Sequence, residues 1–61
     1  MKAKAEEALM VIIGALVSRR VACAEYLRGV ENRDERELVG AVIDFLESLE
    51  EKLVEVINNE R

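Results

Sequence analysis

Between residues 8 and 17 the chain reads ALMVIIGALV, ten positions without a polar side chain. A helix with one buried face shows a polar residue every turn or so. This stretch shows none, so the pattern predicts a helix covered on more than one side. Around it, Ala5, Leu9, Ile12, Leu16, Arg19, Cys23, Tyr26 and Val30 follow one another at spacings of four and three. That is a heptad seam with one charged member. Met10, Ile13, Val17, Ala24 and Leu27 form a second apolar row beside it, and Arg20 stands where that row should continue. A first helix is therefore expected over about 2–28.

Gly29 then offers a left-handed helix stop, and 29–33 read as a short turn. Asn32 and Asp34 each stand three residues before a glutamate, so either can cap the next helix, with Asp34 preferred. The second helix is expected over about 34–58, with the residues from Asn58 onward fraying. Val39, Val42, Leu46, Leu49, Leu53 and Val56 keep the three-four spacing, and Leu38, Ile43, Phe45 and Ile57 widen the stripe. So short a turn allows only an antiparallel hairpin. With the turn centred between Glu31 and Asn32, Ala15 would face Ser48 and Ala22 would face Ala41, a close-packed seam of small residues.

Length and composition carry this hairpin further. A single domain of 61 residues is marginal alone and ordinarily adds a disulfide, a metal or a second chain. One cysteine and no histidine leave only association. The expected architecture is all-α: an antiparallel two-helix hairpin, one domain over 1–61, dimerising into a four-helix bundle. Leu9, Ile12, Ile13, Leu16, Val17 and Cys23 are the expected oligomer interface. If two hairpins pair through their first helices around Leu16, the two Cys23 residues lie roughly 20 Å apart along the axis and stay reduced.

The net charge of −4 argues against broad nucleic-acid affinity. Residues 1–28 carry +2 and the remainder −6, which favours antiparallel pairing of the two halves. The apolar run falls short of the ~20 residues that span a bilayer. Glu6 and Glu7 before it, with Arg19 and Arg20 after it, are unlike a secretory signal. A lone cysteine without an export signal fits the cytoplasm. Abundant Glu and Arg with no Gln, Thr, His or Trp point to a thermophilic source.

Candidate chemistry is sparse. Asp44, Glu47 and Glu50 are spaced by three, a spacing used for magnesium or iron. Di-iron bundles need a histidine that is missing, so the pattern reads as a solvated acidic face. Cys23, Ser18 and Ser48 have no base to activate them. Gly14, Gly29 and Gly40 are isolated and make no phosphate loop. No enzyme activity, cofactor or metal is expected. Arg19 and Arg20 are the unusual pair. They can make an internal ion pair with Asp44, Glu47 or Glu50, Asp44 falling nearest Arg19, or they can recognise an external anion.

In length and central turn the whole chain resembles the Rop-like proteins, helical hairpins that dimerise into four-helix bundles. The resemblance implies that architecture. The expected function is a small non-enzymatic interaction or adaptor protein, acting as a homodimer or as a subunit joined to another protein. The alternative is a Rop-like nucleic-acid-binding regulator using Lys2, Lys4, Arg19, Arg20 and Arg28.

Overall fold

The structure is a computed structural model, and it describes residues 1–60. Helix α1 spans Ala3–Leu27 and helix α2 spans Arg33–Glu60, with no strand among the described residues. The two pack side by side as an antiparallel hairpin 45 Å long and 15 Å by 10 Å across. Contacts tie the two helices together at both ends. The Met1 ammonium lies 3.7 Å from Glu60 Oε2 at the open end, and the Tyr26 hydroxyl donates to Glu35 Oε1 beside the turn. Both pairs have residue numbers that add to 61.

The turn closes differently from the expectation. Gly29 has no positive φ, and Arg28 stays in the right-handed helical region. The N–H groups of Arg28, Gly29 and Val30 instead each bond a carbonyl three residues back, tightening the helix end. Arg36 reinforces this arrangement: its Nη1 donates to Val30 O at 2.8 Å and, at 2.9 Å, to Leu27 O, which Val30 N–H already meets. A side chain from α2 thus does what a left-handed glycine would have done.

At the start of α2 the cap is Asn32 and not the preferred Asp34. Asn32 Oδ1 accepts from Glu35 N at 2.9 Å. The Glu35 carboxylate meets Tyr26 across the turn, which ties the cap to the end of α1. At the other end, α2 stays helical to Glu60, past the expected fraying point at Asn58. Arg61, also expected to fray, lies outside the described residues.

The inward faces differ in phase from the expected seams. On α1 a row of reduced exposure runs Leu9, Ile13, Leu16, Arg20, Cys23 and Leu27, with Glu6 and Val17 also half-buried. On α2 the row runs Val39, Ile43, Leu46, Glu50, Leu53 and Ile57, with Glu35, Gly40 and Leu49 also half-buried. The only other element is the opposite helix, so these are the positions that face it. Ile12, Arg19 and Tyr26 of the expected first seam are exposed, as are Val42 and Val56 of the second. Two adjacent apolar rows run along α1, and its inner face takes Leu9, Leu16 and Cys23 from the first and Ile13 and Leu27 from the second, while Met10 and Ala24 of the second are exposed. The small residues are also displaced: Ala8, Ala15, Ala22, Ala41 and Ser48 are exposed and form no seam within the hairpin. An added Cβ would meet nothing within 4 Å at Gly14 or Gly40, so neither glycine serves a close approach within the chain.

Candidate interaction surface

Each buried seam contains one charged residue, Arg20 on α1 and Glu50 on α2, and the two pair. Arg20 Nε donates to Glu50 Oε2 at 2.8 Å, with the Glu50 side chain only 12% exposed. Side chains tilt toward the N-terminus of their own helix. Arg20 therefore leans toward the open end while Glu50 leans back toward the turn, which lets the two meet. The Glu50 hydrogen bond, followed by its charge, holds the Arg20 guanidinium even more firmly protonated than usual. Of the expected partners, Glu47 adds a weaker charge contribution from nearby. Asp44 is exposed and pairs with nothing among the described residues, and Arg19 likewise has no ion-pair partner there.

An open groove of about 710 Å³ follows this ion pair along one side of the hairpin. Ile13, Val17 and Val54 form its floor, and Glu47, Glu51 and Glu55 line its α2 wall. No group of three metal-ligating side chains comes together among the described residues. Cys23 is a free, half-buried thiol. The five basic residues of the first helix are dispersed. Arg20 is consumed by Glu50, while the helical step of 100° puts Arg19 and Arg28 on opposite sides of the α1 seam.

The opposite side of the hairpin is apolar and uncovered. It is made by the residue just before each inward position. On α1 these residues are Ala5, Ala8, Ile12, Ala15, Arg19, Ala22 and Tyr26, and on α2 they are Leu38, Val42, Phe45, Leu49, Lys52 and Val56. One step back along antiparallel helices turns both rows to the same side of the molecule. Phe45, Ser48, Leu49 and Lys52 surround a small hollow there, away from the groove. Leu38 is 67% and Phe45 65% exposed. Arg19 and Lys52 are the only charges in these two outer rows.

The structure therefore divides the expected interface residues. Leu9, Ile13, Leu16 and Cys23 are spent largely within the hairpin, Val17 flanks the groove, and Ile12 alone stands on the uncovered face. Sequence reasoning missed Phe45, Leu38 and Val42 as surface candidates, although their heptad spacing was available to find them. No helix among the described residues is long and apolar enough to cross a membrane. Comparison of the chain with protein-family models, with curated proteins and with solved structures finds no match.

Proposed function

We propose that this chain is a non-enzymatic interaction module that works as a homodimeric four-helix bundle, an adaptor or a subunit within a larger assembly. The observation that carries this reading is the amount of surface the hairpin leaves bare. Only Ile57 is buried among its described hydrophobic residues, and the accessible surface is 4896 Å². A compact monomer of 6.9 kDa would expose about 4,000 Å². The excess, about 900 Å², matches the ~800 Å² that each partner contributes to a standard-size interface. The uncovered row of Leu38, Val42, Phe45 and Val56 supplies the apolar part of that area.

The groove side suits a second copy poorly. A second copy seated there with its turn at the opposite end would bring Glu47 and Glu51 against their own counterparts. That leaves the acidic groove free for a further protein once the apolar faces are joined. The single free thiol fits work in a reducing cytoplasm. The dispersed basic residues give little support to nucleic-acid binding.

Sedimentation equilibrium over a range of concentrations tests the reading. The expected species has twice the chain mass of 6.9 kDa at micromolar concentration. A folded, helical monomer throughout would overturn it.

A further inference from the structure

We infer that the groove receives a helix of another protein, amphipathic and basic, laid between the apolar side of α1 and the glutamates of α2. This rests on the reading of the chain as an interaction module and names the class of its partner. The groove has two unlike walls. Taking the residue just after each inward position turns both helices to the groove side. On α1 that step gives Met10, Gly14, Val17 and Val21, and on α2 it gives Asp44, Glu47, Glu51 and Val54. One wall is therefore apolar and the other mostly acidic. Met10 and Val21 are exposed, and a Cβ at Gly14 would meet nothing within 4 Å, so the apolar wall is open to contact.

The charge of the acidic wall is not neutralised within the chain. Arg20, the cation among the groove's lining residues, is held by Glu50. Glu47, Glu51 and Glu55 have no ion-pair partner among the described residues. They stand four residues apart, about 6 Å along the axis at each step. They do not converge on a metal, since no group of three metal-ligating side chains comes together among the described residues. Three carboxylates spread in a line match a line of cations. A helix repeats the side chains of one face at the same three- and four-residue steps, so lysines or arginines on one flank of a partner helix reach successive glutamates. Its apolar row then covers Ile13, Val17 and Val54.

The groove's length fits such a helix. Its α2 lining, from Glu47 to Asn59, is roughly 18 Å long, which accommodates about three turns. Other occupants fit less well. A nucleic-acid backbone or an anionic lipid would meet carboxylates, and so open a trough leaves a small molecule mostly in water. An extended peptide has no sheet edge to join among the described residues.

A synthetic peptide of about 18 residues, a helix roughly 27 Å long, tests this when it carries leucines along one face and lysines every three or four residues on one flank. Calorimetric titration should give one peptide per chain. Glu47→Gln with Glu51→Gln keeps the helix preference of both positions and should weaken binding at least about fivefold. Glu25→Gln with Glu31→Gln removes the same charge away from the groove and should change binding less than about twofold. The same peptide in scrambled order should bind at least about tenfold more weakly. No binding, equal binding of the scrambled peptide, or equal loss in both double variants overturns the inference. A change of more than about tenfold in self-association of the Glu47→Gln, Glu51→Gln chain would assign the groove to a second copy and overturn it as well. Sedimentation of the peptide-free chain reads self-association separately. A monomer that binds the peptide overturns the dimer and leaves the groove standing, and a dimer that does not bind it overturns the groove alone.

Discussion

Replacing Phe45 by alanine tests the proposed interface without disturbing the hairpin. Phe45 lies outside the seam that joins α1 to α2, with 65% of its surface exposed, so the single hairpin loses little by its truncation. Complete burial of a phenylalanine side chain is worth about 1.5–3 kcal/mol. The part still exposed in the hairpin, covered on association, is therefore worth roughly 1–2 kcal/mol per copy. A two-fold interface contains the residue twice, so the dimer should lose roughly 2–4 kcal/mol. At about 1.4 kcal/mol per decade this weakens association on the order of 30- to 1,000-fold. Sedimentation equilibrium measures the constant, and far-ultraviolet circular dichroism confirms that the variant is still helical. Val11→Ala is the control: Val11 is 69% exposed but points away from both the seam and the uncovered face. It should change association by no more than a few-fold. A helical Phe45→Ala variant that associates as tightly as the parent would refute the reasoning.

Four further outcomes follow from the hairpin itself. Ile57→Ala should lower stability by about 2–5 kcal/mol in denaturant unfolding at fixed protein concentration, because it empties the most buried position. Asn32→Ala should cost about 0.5–2 kcal/mol by thermal melting, through loss of the bond to Glu35 N. Tyr26 is the single tyrosine, and the Glu35 hydrogen bond, then its charge, raises its pKa above 10.0. Its contribution to stability is then fully present below the unfolded value near pH 10 and lost as pH rises through the folded value. Ultraviolet titration should place tyrosinate formation lower in Glu35→Gln. Arg20→Ala should lower the melting temperature, whereas Arg20→Leu with Glu50→Leu should keep the hairpin helical and broaden its association into mixed sizes by light scattering.

Periodicity made the helices and their antiparallel order legible, because both stripes run unbroken on either side of a short polar turn. It did not fix the phase. In α1, residues 8–17 are apolar around most of the circumference, so a seam through Ile12 and one through Ile13 score alike. The decision lies in the partner helix, where a seam through Ile43 and Ile57 contains Glu50. Only the seam through Ile13 offers Arg20 to meet it. Arg20 alone interrupts an apolar row and Glu50 alone reads as part of a solvated acidic face, but together they identify the inner faces of the two helices. The turn was illegible for a related reason. Whether Gly29 must go left-handed depends on whether another donor reaches the last carbonyls, and Arg36 reaches them from the next helix. The position of the alanines relative to the seam was equally undecidable, since their spacing of seven is the same in either phase.

This dependence gives the ion pair a consequence for the register of the hairpin. A pair as sheltered as Arg20 with Glu50 adds little net stability over a well-packed apolar replacement, but it penalises any arrangement that strands one member. Sliding α2 along α1 by one heptad would still bury leucines against leucines, because both inner rows repeat every seven residues. It would, however, pull Glu50 away from Arg20. The pair therefore selects among registers that hydrophobic contact alone barely distinguishes. A hairpin whose described residues include one buried hydrophobic side chain, Ile57, can in this way fix how its helices align with a single sheltered charge pair.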